Sequence, residues 1–161
     1  MIATVVVLVL PSAACQTEVA DVPTSECATG KKWVGGNSGS SQMHPGRDCI
    51  DCHAGGEGPE YIVAGTVYPA EGISDPDDCF GIAGASVLVE DAAGRAFALE
   101  TNSAGNFYLS RGDGPLEFPL AVELEYDGAM RAMTLQPTVG ACASCHTSEG
   151  LGGAIGRIVR P

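Results

Sequence analysis

The sequence predicts a mainly β protein: a small antiparallel β-sandwich with an irregular segment at each end. Residues 61–135 divide into short apolar runs spaced by about ten residues, with Gly and Asn between them. No helical pattern continues for more than about two turns. The 22 glycines and 10 prolines indicate many turns, and the 45% hydrophobic content is enough to bury a core.

The candidate strands are, in order, YIVAGTV, ASVLVED, RAFALET, NFYL, FPLAVELEY and AMRAMTL. In FPLAVELEY apolar residues alternate with Pro, Ala and Glu, which predicts one buried and one solvated face. Asp127-Gly128 is a two-residue hairpin signal between the last two strands. In that register Val122 opposes Met133, so Met133 is expected to fill the core while Met130 faces outward.

The N-terminus begins with the apolar run MIATVVVLVL, followed by small residues and Cys15. This pattern resembles a bacterial lipobox, which implies a lipoprotein-type signal peptide over residues 1–14 and lipidation of Cys15. A signal peptide cleaved elsewhere is the alternative. Either reading places the protein outside the cytoplasm, in the periplasm or on the outer cell surface. The polar residues 15–26 are then expected to form a tether.

Two segments match C-x-x-C-H, the attachment signature of c-type haem. The first consists of Cys49, Cys52 and His53, and the second of Cys142, Cys145 and His146. Two thiols at this spacing reach the two vinyl groups of one porphyrin, and the adjacent imidazole becomes the proximal iron ligand. The sequence therefore predicts two haem c groups as cofactors, each bound through two thioethers and one histidine.

Two other uses of paired cysteines fit the sequence less well. Zinc sites built from two C-x-x-C knuckles usually separate them by about 15 to 20 residues, far fewer than lie between Cys52 and Cys142. A thioredoxin-like pair should follow a strand and open a helix, whereas Met43-His44-Pro45-Gly46 before the first pair is typical of a turn.

The seven cysteines leave one further pair to explain. With four assigned to haem and Cys15 to the lipid or the signal peptide, Cys27 and Cys79 remain, and an exported protein would oxidise them to a disulfide. Such a bridge would stabilise the fold by about 4 kcal/mol in the chain-entropy model. Two buried free thiols are the alternative.

The distal iron ligands are limited by the three histidines in the chain. His53 and His146 serve as proximal ligands, so His44 is the remaining distal candidate, for either haem or for a neighbouring subunit. A surface position for His44, with Met43 as the substitute ligand, is the alternative. Met133 is a second distal candidate, for which core filling is the competing interpretation.

Residues between the motifs carry a family resemblance. GTV followed by GASVLVEDAAGRAFALETNSAGNFYL resembles the carboxypeptidase-regulatory or transthyretin-like β-sandwich, which is usually a stability or interaction module. W-V-G-G and M-H-P-G before the first motif, and G-R-I (Gly156 to Ile158) after the second, resemble exported dihaem proteins of bacteria. That resemblance implies electron transfer.

The predicted organisation is a first haem-binding segment at 27–60, a β-sandwich at 61–136 and a second haem-binding segment at 137–161. The net charge of −12 excludes nucleic-acid partners and favours redox partners with basic patches. Contact with a membrane is expected only through the lipid anchor, and self-assembly stays open. The acidic run Ser74–Asp78 lacks the spaced ligands of an EF-hand and is expected to be a solvated loop.

The predicted function is one-electron transfer, and the protein is expected to be an electron carrier rather than an enzyme. The shortage of histidines leaves two alternatives open: a dihaem enzyme or a sensor of gas or peroxide with one open iron, and a subunit of an extracellular haem filament.

Overall fold

A computed structural model describes residues 19–21, 27–56, 58–69 and 75–161. The predicted signal peptide and Cys15 lie outside these ranges. The strands are β1 (Val19–Asp21), β2 (Lys31–Trp33), β3 (Tyr61–Tyr68), β4 (Ser86–Glu90), β5 (Ala96–Glu100), β6 (Asn106–Ser110), β7 (Ala121–Tyr126), β8 (Ala129–Ala132) and β9 (Ile158–Val159). One α-helix, α1, spans Cys49–His53, and two 3-10 turns span Arg111–Asp113 and Cys142–Ser144.

The described strands form a sandwich of two main sheets. One sheet has the order β6-β3-β9 and the other has the order β5-β4-β7-β8, while β1 and β2 form a separate antiparallel pair. Both main sheets supply side chains to one hydrophobic core, with Val67 and Phe107 from the first sheet and Val89 and Leu124 from the second. The predicted fold class, a mainly β protein built on a small antiparallel sandwich, is confirmed.

The hairpin between β7 and β8 has the predicted two-residue turn. Asp127 and Gly128 have φ values of 51° and 78°, which suit a turn that follows the right-handed twist of the strands. The pairing of Glu125 with Met130 and the hydrogen bond from the Met133 N–H to the Val122 carbonyl, 2.9 Å, give the predicted register. The short-range signals in the sequence were therefore sufficient for this part of the fold.

The expectation that Met133 fills the core is wrong. Directly opposed residues share one face of a sheet, so Met133 lies on the inner face with Val122. However, β8 is an outer strand whose four residues are all exposed, and Met133 is 39% exposed. Met130 faces outward, as expected, and is 54% exposed.

The acidic run is not a solvated loop. Asp75 is 7% exposed and accepts a hydrogen bond from the Ala28 N–H at 3.1 Å. Asp77 pairs with Arg157, and Asp78 pairs with His44 and Arg47. These carboxylates attach the loop to segments that are distant in sequence, which is why local composition did not reveal them.

Two segments outside the predicted sandwich also contribute strands. Val19–Asp21, within the expected tether, pairs antiparallel with Lys31–Trp33. Ile158 and Val159, within the second haem-binding segment, pair in parallel with Val67 and Tyr68 of β3. The last residues of the chain therefore join the sheet directly.

A disulfide joins Cys27 to Cys79 across a sequence separation of 52 residues. Both cysteines are buried and form a small cluster with Tyr68 of β3. The bridge links the segment before β2 to the loop before β4. No helix in the part of the chain that the structure describes is long and apolar enough to cross a membrane.

Candidate functional site

The first C-x-x-C-H motif forms helix α1. The Asp48 carboxylate caps its N-terminus by accepting hydrogen bonds from the N–H groups of Ile50 and Asp51, both at 3.0 Å. Helical spacing places Cys49 and Cys52 on neighbouring turns of one face. Both are free thiols.

The His53 ring, at the end of α1, packs between an aromatic side chain and a glycine. Its centroid is 5.1 Å from that of Tyr61, which in turn lies 4.8 Å from Tyr108. A Cβ added at Gly58 would lie 2.7 Å from Nδ1 of His53, so a side chain at this position would displace the ring. The Nδ1 atom is buried and has no hydrogen-bond partner among the described residues.

The second motif forms a 3-10 turn over Cys142–Ser144, and Cys145 continues it as a turn residue. The His146 N–H donates to the Cys142 carbonyl at 2.9 Å, and Nδ1 of its ring bonds the Gly156 carbonyl at 2.9 Å. Because a carbonyl oxygen only accepts, Nδ1 is the protonated nitrogen of the neutral ring, which leaves the lone pair on Nε2. An imidazole in this state can bind a metal through Nε2.

Both motifs dock on the central strand β3. Helix α1 contacts β3, and the residues before the second motif attach to the same strand through a parallel bridge between Ala141 and Ala64. Gly65 of β3 permits this approach, because a Cβ there would lie 2.9 Å from Cβ of Cys142. Sequence separation had left the relative position of the motifs open; the fold places them side by side.

The first cysteines of the two motifs lie close enough to interact electrostatically. Burial, followed by the neighbouring Asp48, raises the pKa of Cys49 to about 11. Burial, followed by the neighbouring Cys49, raises the pKa of Cys142 to about 12. Both groups are therefore neutral thiols near pH 7.

Two clefts flank the paired motifs. The larger, 800 Å³, has an apolar wall that includes Ile50, Tyr61 and Phe118, and it reaches Ala141 beside the second motif. The smaller, 270 Å³, is lined by charged and hydroxyl groups: Arg47, Asp48, Asp77, Thr147, Ser148 and Arg157. Each cleft touches both motifs or their immediate neighbours.

His44 lies in a polar pocket of its own. Its Nδ1 bonds Asp78 at 2.8 Å, and its Nε2 bonds Asn37 at 3.1 Å. Arg47 also holds the same Asp78 carboxylate, at 2.6 Å. Both ring nitrogens are thus occupied by protein groups. Met133, the other candidate distal ligand, lies at the exposed edge of the four-stranded sheet.

The described residues contain one close cluster of donors that could hold a metal ion: Cys27, Asp75 and Cys79. The disulfide between its two sulfurs leaves no thiolate for a metal, so this cluster is a structural bridge. Within the described ranges, the motif cysteines and histidines do not form a comparable cluster. A zinc site shared by the two C-x-x-C pairs is therefore not preformed.

Sequence reasoning missed several residues that shape the two sites. Gly58 makes room for the His53 ring, Gly140 allows the second motif to approach β3, and Gly156 and Arg157 contact His146 and the first segment, respectively. The G-R-I tripeptide was the one available signal for the last two.

Comparison with protein-family models, curated proteins and solved structures finds no match to this chain.

Proposed function

We propose that the protein is an exported dihaem c-type cytochrome that transfers single electrons. The observation that carries this proposal is the docking of two C-x-x-C-H motifs side by side on β3, with all four thiols free. The cysteines outside the motifs support it as well, because Cys27 and Cys79 are joined in a disulfide suited to an oxidising compartment.

The donor groups suit covalent haem. Cys49 and Cys52 would hold the first haem with His53 as proximal ligand. The second haem would be held by Cys142 and Cys145, with His146 as proximal ligand. Haem iron supplies a reversible one-electron couple. The hydrogen bond from His146 to the Gly156 carbonyl favours the tautomer that binds iron through Nε2. The His53 ring has no such bond from its buried Nδ1 to any described residue, and its position depends instead on the space that Gly58 leaves.

The arrangement of the motifs supports passage of electrons within the protein. The Cys49 thiol lies close enough to Cys142 to contribute to the raised pKa of Cys142, so the porphyrins attached to the two cysteines would be neighbours. An electron could then enter at one haem and leave at the other. The apolar wall of the larger cleft would shield porphyrin from water.

The surface charge supports partners of opposite sign. The chain has 20 acidic against 8 basic residues, and haem propionates would add negative charge. We propose redox partners with basic patches, whose association should weaken as salt screens the attraction. Rates of electron exchange with a cationic partner that do not change with ionic strength would contradict this. The proposed anchor at Cys15 would retain the protein on a membrane after export.

The test is co-expression of the exported protein with a cytochrome c maturation system, followed by intact mass spectrometry and pyridine-haemochrome analysis. Two covalent haems are expected in the wild type. Cys49→Ala/Cys52→Ala and Cys142→Ala/Cys145→Ala should each retain one. Cys27→Ser/Cys79→Ser is the matched control and should keep both haems. A folded wild-type protein without covalent haem would overturn the proposal.

A second candidate is an enzyme or a sensor with one open iron. The observation that favours it is that both ring nitrogens of His44 are already bonded, to Asp78 and Asn37. If His44 ligates iron, Nε2 must leave Asn37 while Asp78 keeps hold of Nδ1. Carbon monoxide added to the reduced holoprotein separates the candidates: binding indicates an open iron, and no binding indicates two six-coordinate haems. Light scattering tests the haem-filament alternative, in which His44 serves a neighbour.

A further inference from the structure

Arg157 is a buried cation that lies between the two motifs. It is 6% exposed, and its guanidinium lies 5.4 Å from the ring centre of Tyr68 in β3. Its Nη1 donates to the Gly46 carbonyl at 2.9 Å, three residues before Cys49. Its Nη2 donates to the Asp75 carbonyl at 3.3 Å and pairs with Asp77. All these partners lie outside the second motif.

The main chain beside Arg157 bonds the second motif instead. The preceding carbonyl, of Gly156, accepts the bond from Nδ1 of His146 at 2.9 Å. The following residues, Ile158 and Val159, pair with β3. The side chain therefore holds the first segment while its neighbouring carbonyl orients the histidine of the second.

The loop between His146 and Gly156 is tied to the second motif by a bond from the Leu151 N–H to the Cys145 carbonyl, 2.8 Å, but its large apolar side chains are exposed. Leu151 is 59% exposed and Ile155 is 90% exposed. Gly150, Gly152 and Gly153 all have positive φ, so this stretch depends on backbone conformations that glycine allows. The Gly156 carbonyl, at the end of this loop, is therefore held in place mainly by the residue that follows it, the buried Arg157.

From this geometry we infer that Arg157 is a positioning residue that fixes the His146 imidazole by anchoring the Gly156 carbonyl to the segment before Cys49. The contacts of Arg157 do not depend on the proposed haem function; only the purpose of orienting His146, as an iron ligand, rests on it. The contacts to the Gly46 and Asp75 carbonyls use the forked geometry of a guanidinium, which an ammonium cannot reproduce. The role therefore depends on shape as well as charge.

The experiment measures the His146 tautomer in haem-free, disulfide-bonded protein by ¹⁵N NMR. In the wild type the neutral ring should carry its proton on Nδ1. Arg157→Gln and Arg157→Lys should both shift the ring toward the Nε2–H form. If Arg157→Gln does not fold, Arg157→Lys, which retains the charge beside Asp77, decides the question. Arg160→Gln is the matched control on the same terminal segment and should leave the tautomer unchanged.

Three outcomes would overturn the inference: an unchanged tautomer in folded Arg157→Gln, an unchanged tautomer in folded Arg157→Lys, or an equal shift in Arg160→Gln. The haem-loaded protein gives a second readout, because a reoriented His146 should change the electron paramagnetic resonance g values of the second haem. Failure of the proposed function is seen separately, as absence of covalent haem, and leaves the tautomer test intact.

Discussion

The Ala64 N–H donates to the Gly140 carbonyl at 3.0 Å, and Ala141 continues the contact as a parallel bridge to Ala64. The second motif therefore starts as an extension of the sheet, directly before Cys142. Its other end returns to the same strand, where Ile158 pairs with Val67. The whole second segment is a loop closed against β3.

Gly140→Ala should destabilise the fold and release the second motif from β3. A Cβ at this position would collide with the backbone of Ile62, and a strand backbone cannot give way as a flexible side chain can. The free energy of unfolding, measured in urea, should fall by about 1–3 kcal/mol. Gly112→Ala has open space around its Cβ and should stay within about 0.5 kcal/mol of the wild type. Equal stability of the two variants would contradict this account.

Removal of the disulfide should destabilise the folded chain by about 4 kcal/mol, because its sulfurs close a loop across 52 residues. The measurement compares Cys27→Ser/Cys79→Ser with the wild type in urea. Reductant should lower the stability of the wild type and leave the variant unchanged. Mass spectrometry without reduction should find Cys27 and Cys79 protected from alkylation, and modification of both in native protein would refute the bridge.

Local patterns in the sequence predicted the strands and the β7–β8 turn because alternation and a two-residue hairpin are properties of neighbouring residues. The burial of Met133 was not predictable in the same way, since it depends on which strand lies at the sheet edge. The roles of the Asp75 and Asp77 carboxylates depend on Ala28 and Arg157, which lie 47 and 80 residues away in the sequence, respectively. The motif cysteines were recognisable from spacing, but their convergence on β3 is a property of the tertiary fold.

Asp91 should make the fold sensitive to acid. Burial alone would raise its pKa, but hydrogen bonds from the Arg95 side chain and from the N–H groups of Arg95, Glu117 and Ala93 lower the pKa to about 2. Between about pH 4 and pH 2, the unfolded chain binds a proton here that the folded chain does not, so stability should fall as the pH falls. The stability difference between wild type and Asp91→Asn, measured in urea at pH 6, should shrink across this range. A constant difference down to pH 2 would contradict it.

Three of the motif thiols, Cys49, Cys52 and Cys142, should differ in reactivity before haem is attached. At pH 8, iodoacetamide should modify exposed Cys52 faster than Cys49 and Cys142, because burial raises the pKa of the latter two to about 11 and about 12 and the thiolate is the reactive form. Peptide mapping after short labelling times gives the individual rates. Urea-denatured protein is the control, in which the three rates should converge. Similar rates in the native protein would show that Cys49 and Cys142 are not protected.

Gly58→Ala should perturb the first haem and spare the second. A Cβ at Gly58 would lie 2.7 Å from Nδ1 and 2.8 Å from Cε1 of His53, and the φ of 134° disfavours any side chain there. The His53 ring must therefore rotate or withdraw, which should weaken its bond to iron. The effect is best measured by introducing Gly58→Ala into the Cys142→Ala/Cys145→Ala variant, in which only the first haem contributes to the spectrum. In that variant, Gly58→Ala should raise the high-spin fraction of the ferric absorption spectrum.

Gly55→Ala, in the same loop with open space around its Cβ, is the matched control and should leave the spectrum unchanged. An unaltered spectrum in Gly58→Ala would contradict the steric control of the His53 ring by Gly58.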